Sequence, residues 1–459
     1  MEPTSVVAQA ICKNLSDNQH VTHSSWLCDL PDAVLYHILS FLPMKDVVTT
    51  SILSKKWQYF WASVPNLEFC ESDFSERSLF MNFVDRAFIF RDRSSIRALS
   101  LSCKVRRDAP RINAWITAAA RGDLVELSLN LQDNEPITLP CRIFGSGALN
   151  KFELNSSCIL RSHSSACLSS LKVVSLTRVT FVDDSSIRNL FSSPLLEELS
   201  IKHCKWMNLK SVSISAPKLM KLSIDDYDGD FLEECVSYDR QIEIDGTSLT
   251  SLFYRGELIN RYCLRSAYQL VEVEISTSDH PALGVKFDLV AKNSYELLGS
   301  LSSVKSLTLS EVFLEDLGRR IQLFDAIPVL SMMTKLKVTE EYFTLVDYPA
   351  FFMLLRRSPN IHTLEFAEAL DSAYTESMGE VPLCFSTQLK KIEIGTFCAT
   401  SNEFSVVKAL LKAATALEEM VMHVKGDNMD RDAISKKLMV LPRGLNCRII
   451  VVPDRETQA

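Results

Sequence analysis

The chain has 459 residues, of which 47% are hydrophobic and 23% charged, the composition of a folded globular protein. This length predicts two or three domains or one elongated repeat array. A net charge of −8 without a cluster of basic residues excludes a typical nucleic-acid binder, and no apolar run is long enough to cross a bilayer. The thirteen cysteines include no C-x-x-C pair, so we expect small buried side chains and no disulfide framework.

The first predicted elements are three short helices between residues 29 and 70. The first has an amphipathic apolar stripe and begins at a proline, which needs no backbone N–H at a helix start. A second proline ends this first helix. The second pattern is centred on a valine pair, and the third on two tryptophans. The residues that carry these three patterns are Pro31, Leu35, Ile38, Leu39, Leu42, Pro43, Val47, Val48, Leu53, Trp57 and Trp61. About forty residues bury too little surface to be stable alone, so the unit needs a partner or a neighbouring domain.

The order and spacing of these residues resemble an F-box, the domain that docks onto the Skp adaptor of a cullin–RING ubiquitin ligase. The resemblance implies that eight residues form the apolar surface facing the adaptor: Leu30, Pro31, Leu35, Ile38, Leu39, Leu42, Pro43 and Val47. The alternative is that the same residues form an ordinary three-helix core without an external partner. Trp57 and Trp61 are expected to be core residues under either interpretation.

From residue 96 onward, one pattern of apolar residues at i, i+3 and i+5 recurs thirteen times. Successive units begin 21 to 34 residues apart, and most of these steps fall within or near the 20 to 29 residues of a leucine-rich repeat. The first anchors are Ile96, Leu124, Leu149, Leu171, Leu196, Leu219, Leu249, Leu270, Val304, Met333, Ile361, Leu389 and Leu417. The alternative is a globular α/β protein with coincidental leucine strings.

Positions i+3 and i+5 point to the same side of a strand, so both anchors should enter one continuous core. We therefore predict an α/β fold class, with the N-terminal F-box followed by an irregular leucine-rich-repeat solenoid. Its parallel β-sheet would lie on the concave side, with helices and loops outside. Helices are expected at SSIRNLFSS and YPAFFMLLRRS, and uneven loops around residues 226 to 248 and 276 to 303.

The C-terminal stretch resembles the FBD module that follows the repeats in a plant-type F-box family. The resemblance rests on the strand from Leu389 to Ile394, the helix from Val406 to Ala414, Leu417–Met420, Leu441-Pro442-Arg443 and a strand ending at 447–449. We predict a disordered, variable N-terminus (1–28), an F-box (29–70), a repeat solenoid (95–380) and an FBD cap (381–453).

The sequence contains no pattern typical of a catalytic or cofactor site. The eight histidines form no HExxH, and there is no G-x-S-x-G, no phosphate-binding glycine loop and no dinucleotide fingerprint. We therefore expect no catalytic residue, no metal and no cofactor. An enzyme that uses the repeat face as its active site has no support in the sequence.

The repeat frame also predicts which side chains face out of the sheet, namely those at i+2 and i+4. From the middle units we expect substrate-binding roles for Glu198, Lys221, Phe253, Glu272 and Glu274, together with the adjacent Arg255. Aromatic and arginine side chains dominate interface energetics, which favours Phe253 and Arg255. If the frame were wrong by one residue, Phe253 would be buried instead.

These features predict a substrate-recognition subunit of a Skp–cullin–F-box ubiquitin ligase. It would bind the Skp-type adaptor, and through it a cullin, by the F-box, and an unknown protein by the repeats. The alternative is an F-box/repeat scaffold or decoy that binds partners without directing their degradation. We expect the nucleus, the cytoplasm or both as its location, with neither nucleic acid nor membrane as partner. The substrate, and any need for a phosphate or small molecule in recognising it, stay open.

Overall fold

The computed structural model describes residues 30–132, 137–145, 147–160, 168–207, 209–226, 240–277, 287–339, 348–367, 381–425, 431–444 and 446–453. These form two compact units, one of Met1–Ser193 with Cys204–Met207 and one of Pro194–His203 with Asn208–Ala459. The predicted disordered segment 1–28 lies outside the described residues.

The first unit begins with helices α1 (Asp32–Leu39) and α2 (Met44–Thr49). Pro31 precedes α1 as its N-cap, and its carbonyl accepts the N–H groups of Val34 and Leu35. The predicted third helix is instead two 3₁₀ segments, Thr50–Ile52 and Trp57–Ser63. The chain is thus more tightly wound there than an α-helix, as is common in short connecting segments.

The same unit then forms a parallel sheet in which β1 to β5 follow one another in chain order, and β7 pairs with β5. The strands are β1 (Asn66–Cys70), β2 (Ala98–Lys104), β3 (Glu126–Gln132), β4 (Lys151–Leu160), β5 (Val173–Phe181) and β7 (Lys205–Trp206). The intervening helices are α3 (Arg77–Phe90), α4 (Ala109–Ala119) and α5 (Asp184–Phe191), with 3₁₀ segments at Glu71–Asp73 and Cys141–Gly145.

The second unit has a ten-stranded parallel sheet in the order β6-β9-β11-β13-β14-β15-β16-β17-β18-β19. Its strands are β6 (Glu198–Lys202), β9 (Lys221–Asp225), β11 (Ser251–Arg255), β13 (Glu272–Ser276), β14 (Ser306–Ser310), β15 (Lys335–Thr339), β16 (Thr363–Phe366), β17 (Lys391–Phe397), β18 (Glu419–Val424) and β19 (Arg448–Pro453). A second parallel sheet contains β8 (Ser211–Ser215), β10 (Gln241–Asp245) and β12 (Arg261–Arg265).

Helices connect most strands in the later part of the second unit. They are α6 (Phe287–Gly299), α7 (Glu311–Gly318), α8 (Tyr348–Arg356), α9 (Leu383–Thr387), α10 (Ser401–Ala413) and α11 (Arg431–Met439), with a 3₁₀ segment at Ile321–Ala326. The helices predicted from SSIRNLFSS and YPAFFMLLRRS are confirmed as α5 and α8.

The predicted repeat frame agrees with the structure at every unit. Each of the thirteen patterns lies on a strand of the two main sheets, and its anchors at i, i+3 and i+5 are buried. Neighbouring strands pair in register, so equivalent anchors stack: Leu199 pairs with Leu222, and Leu252 pairs with both Leu222 and Val273. Because this stacking recurs within each unit, the interpretation of the leucine strings as coincidence is wrong.

Two of the predicted loops are partly regular structure. The region 226–248 contains β10, and the region 276–303 contains α6. The prediction missed the whole second sheet, although β8 and β12 follow the same spacing, as Leu209-Val212-Ile214 and Ile259-Tyr262-Leu264. The closing C-terminal strand also differs, since β19 begins at Arg448 and continues to Pro453.

Candidate protein-binding surfaces

Helix α1 has two apolar stripes that meet different surroundings. Leu35 and Leu39 are fully buried in the first unit. Val34 and Ile38, with Phe41 in the turn just after the helix, follow the i, i+4, i+7 spacing of an adjacent stripe, which is partly or largely exposed. A short helix that is apolar on its solvent side as well as on its core side has surface available for a second protein.

Lys56 holds the start of α1 against the following 3₁₀ segments. Its Nζ donates to the carbonyl of Leu30 at 3.0 Å and lies 3.3 Å from Oδ1 of Asp32. Behind it, Trp57 and Phe60 are buried, with ring centroids 6.1 Å apart. These contacts give the N-terminal helices a core of their own, which keeps the outer stripe in place.

The structure divides the eight predicted adaptor-facing residues into two groups. Leu35, Leu39 and Val47 each have an exposure of 0%, so they hold the helices together and offer no area to a partner in this conformation. Whether these three also contact an adaptor stays a prediction. The other five are exposed or partly exposed: Leu30, Pro31, Ile38, Leu42 and Pro43. Their contact with an adaptor stays a prediction.

Sequence reasoning missed most of the apolar area that this region does expose. Five large side chains are between 38% and 81% exposed, namely Val34, Phe41, Ile52, Leu53 and Tyr59. We call these five residues the outer apolar set. The sequence could have indicated this exposed area, because Phe41, Ile52 and Tyr59 are apolar but do not belong to the predicted buried stripes of the helices.

The six predicted substrate-binding residues lie on four strands of the second unit: β6, β9, β11 and β13. Glu198 and Lys221 are directly paired, as are Phe253 and Glu274. All six side chains are at least partly exposed. Phe253 is on the solvent side between the buried Leu252 and Tyr254, so the alternative of a frame wrong by one residue is itself wrong. That they bind a substrate stays a prediction.

The charges on this face differ from strand to strand. Lys221 Nζ lies 2.9 Å from Oε1 of Glu198, and this hydrogen bond raises the pKa of Lys221. Glu272 and Glu274 lie among Ser251, Phe253 and the hydroxyl residues of β14, and no described residue forms an ion pair with either. Glu272 and Glu274 are therefore available to a cationic partner, whereas Glu198 is already ion-paired with Lys221.

The described part of the chain has no feature that suggests a metal or redox site. No group of three or more His, Cys, Asp or Glu side chains in those ranges could hold a metal ion. The cysteines whose side chains are described are free, and burial raises the pKa of the Cys103 and Cys158 thiols to about 12. None of the helices described is long and apolar enough to span a membrane.

Comparison with known proteins identifies these domains. Residues 27–69 match the model of the F-box domain, and residues 90–312 match that of the At1g61320/AtMIF1 LRR domain. An Arabidopsis thaliana protein named for its F-box and LRR repeats, At3g58880, is 30% identical over 86% of this chain and 91% of its own length. The chain belongs to the F-box/LRR-repeat family. The resemblance to plant-type F-box/LRR/FBD proteins and the predicted α/β fold class are confirmed.

Two further relatives from the same plant cover nearly the whole chain. The F-box/LRR-repeat protein At3g59200 is 28% identical over 93% of this chain and 88% of its own length. The FBD-associated F-box protein At5g22730 is 25% identical, covering 92% and 93% respectively. F-box domains generally bind Skp-type adaptors, and leucine-rich repeats generally bind proteins. The outer apolar set thus lies within the F-box, and the charged face lies on repeat strands.

Proposed function

We propose that this protein is a substrate-recognition subunit of a Skp–cullin–F-box ubiquitin ligase. The observation that carries the proposal is the F-box itself, in which a buried core supports a second, exposed apolar surface. Ile52 is 81% exposed and Tyr59 is 69% exposed, although both lie in a folded segment. Exposed apolar surface of this kind is typical of a protein interface.

The repeat strands supply the second binding function. On the face of β6, β9, β11 and β13, Phe253 offers an aromatic anchor, Glu272 and Glu274 offer negative charge, and Arg255 offers a planar cation. Aromatic and arginine residues are over-represented among the side chains that dominate interfaces. We propose that this face binds the target protein, with Glu198 and Lys221 at its rim.

The protein would act without catalysing a reaction. Binding the adaptor with one domain and the target with another places target lysines near the charged ubiquitin-carrying enzyme. Such tethering raises the effective concentration of the reacting groups without any new chemistry in the receptor. This role needs no cofactor. We propose the cytoplasm, the nucleus or both as the location, because Skp–cullin–F-box assemblies act on proteins there.

The adaptor part of the proposal is tested by co-purifying the chain with a Skp-type adaptor. We expect Ile52→Glu to abolish the complex, because it places a charge in the apolar contact. Ile89→Glu is the matched control, since Ile89 is 71% exposed on α3, outside the F-box. Leu30→Ala/Pro31→Ala tests the predicted start of the same surface. If wild-type folded protein fails to bind the adaptor, the proposal is wrong.

The target part is tested by ubiquitination in a reconstituted ligase containing proteins that co-purify with the chain. Phe253→Ala combined with Glu272→Gln should reduce capture and ubiquitination of a true target. Glu365→Gln is the matched control, because Glu365 lies on the same sheet but is ion-paired with Lys335 at 2.8 Å. Partners that bind through this face without being ubiquitinated would instead favour the scaffold or decoy function.

A further inference from the structure

The first unit carries a ladder of polar side chains across four neighbouring strands. Asn130 Nδ2 donates to Ser102 Oγ at 3.1 Å, and Asn155 Nδ2 donates to Asn130 Oδ1 at 3.1 Å. Arg178 Nε then donates to Asn155 Oδ1 at 3.1 Å. The ladder exists because Ser102, Asn130 and Asn155 occupy paired positions in β2, β3 and β4. Each donor points toward the preceding strand, so the bonds polarise one another in one direction.

Arg178 at the end of this ladder has an unusual backbone. Its φ is 61°, in the left-handed region that glycine and asparagine adopt most easily, and its side chain is exposed. The Cβ atom makes this conformation costly for a residue other than glycine, because it comes close to the following carbonyl oxygen. Such strain persists where the surrounding structure holds it, and here the bond from Nε to Asn155 fixes the guanidinium on the solvent side of the sheet.

The bond to Asn155 uses only one edge of the guanidinium. Both Nη groups remain as an end-on pair of donors, the geometry that matches the two oxygens of a carboxylate. No ion pair to Arg178 occurs within the described ranges. An arginine that is already ordered loses less side-chain entropy on binding than a free one. The ladder therefore prepares a cation that no described residue of the first unit neutralises by an ion pair.

The surroundings of Arg178 favour a carboxylate over a phosphate. The nearest outward charges on β4, Lys151 and Glu153, neutralise each other at 3.0 Å. The neighbouring outward residues on β5 are the hydroxyl-bearing Ser175 and Thr177. One further cation is near, because the exposed Lys205 of β7 pairs with Thr180, two residues along β5 from Arg178. Phosphate recognition in proteins typically uses several arginines, whereas a single arginine with an end-on pair of donors suits one carboxylate.

We propose that the outward face of β4 and β5 binds a carboxylate of a partner protein through the Nη groups of Arg178. The carboxylate could belong to an Asp or Glu side chain or to a chain terminus, and the experiment below distinguishes the two. This site lies outside the F-box surface and outside the face formed by Phe253 and its neighbours. It does not depend on adaptor binding.

The test is site-resolved modification of the full chain by phenylglyoxal, which reacts with exposed arginines, read by mass spectrometry. Three short peptides serve as probes at about 10 mM, in the range of weak single-site contacts. They are acetyl-Gly-Glu-Gly-amide, acetyl-Gly-Gly with a free C-terminus, and acetyl-Gly-phosphoserine-Gly-amide. We expect the first or the second to slow modification of Arg178 at least threefold. Arg97, Arg142 and Arg188 in the same sample report general electrostatic effects.

Variants separate the ladder from simple exposure of the arginine. Asn155→Ala should abolish the selective protection while Arg178 stays reactive, and Ser175→Ala, which changes a neighbour outside the ladder, should preserve it. Arg178→Lys should remove the protected site with an unchanged melting temperature. Protection by the glutamate peptide alone would identify a side chain as the source, and protection by the free terminus alone would identify a chain end. Equal protection of all arginines, no protection, or protection by phosphoserine alone would overturn the proposal.

Discussion

Replacing Phe41 by alanine should weaken adaptor binding strongly and leave the fold intact. Phe41 is 62% exposed, and its ring contacts only the His37 ring among the aromatic residues described, at 4.9 Å between centroids. A phenylalanine side chain buries about 150–250 Å² when fully covered, so about 100 Å² remains for a partner to cover. At about 25 cal/mol per Å², full coverage is worth about 2.5 kcal/mol, or roughly 70-fold in affinity as an upper estimate.

The measurement is isothermal titration calorimetry of the purified chain with a Skp-type adaptor, beside chemical denaturation. We expect Phe41→Ala to raise Kd by about 10- to 70-fold and to change the free energy of unfolding by less than about 0.5 kcal/mol. Phe90→Ala is the matched control, because Phe90 is 64% exposed but lies at the end of α3. Equal effects of the two variants on Kd, or no effect of Phe41→Ala, would refute the assignment of the adaptor surface to the outer stripe of α1 and the turn that follows it.

Three further predictions concern stability. Leu39→Ala should lower the free energy of unfolding by about 2–5 kcal/mol in denaturant titration, because Leu39 is fully buried. Burial raises the pKa of Asp85, but hydrogen bonds from Arg111 and an indole N–H outweigh this and lower it. Asp85→Asn should therefore lower the free energy of unfolding by on the order of 1 kcal/mol at neutral pH. This loss should shrink as the pH falls through the pKa of Asp85 in the folded protein, as measured by thermal melts from pH 7 to 3. Gly395→Ala should lower the melting temperature, because its Cβ would lie 2.1 Å from the Ala367 carbonyl oxygen, whereas Gly299→Ala meets no atom within 4 Å.

The main sheets were predictable because their anchors repeat. Each unit must present apolar residues at i+3 and i+5 to its neighbours, so the period appears directly in the sequence, as at Leu307 and Leu309. Two strands of the second sheet keep the same spacing, as Leu209-Val212-Ile214 and Ile259-Tyr262-Leu264, but each falls inside a period that already contains an anchor set. Strand β10 lacks the pattern, because Asp239 stands at its position i, and β8 itself buries only Val212 and Ile214. Its position depends on pairing with β10, which lies more than twenty-five residues later in the chain.

The F-box surface was only partly predictable for a different reason. The sequence shows that α1 is apolar on more than one side, but not which stripe meets the helix's own core. That choice depends on how α2 and the 3₁₀ segments pack, and it placed Leu35 and Leu39 inside and Ile38 and Phe41 outside. The adjacent residues Ile38 and Leu39 therefore differ in exposure, although both fit the same motif.

Family membership identifies the scaffold of this protein but not its target, for a physical reason. Packing constrains the inward anchors of every repeat, whereas an outward residue on a parallel sheet has few neighbours to satisfy. What an outward residue can do is then decided by whether it already has a partner within the chain. Glu198 and Lys221 satisfy each other, so a target gains little by replacing that bond. Glu272 and Glu274 have no such partner among the described residues, so target recognition on this face should depend mainly on β11 and β13.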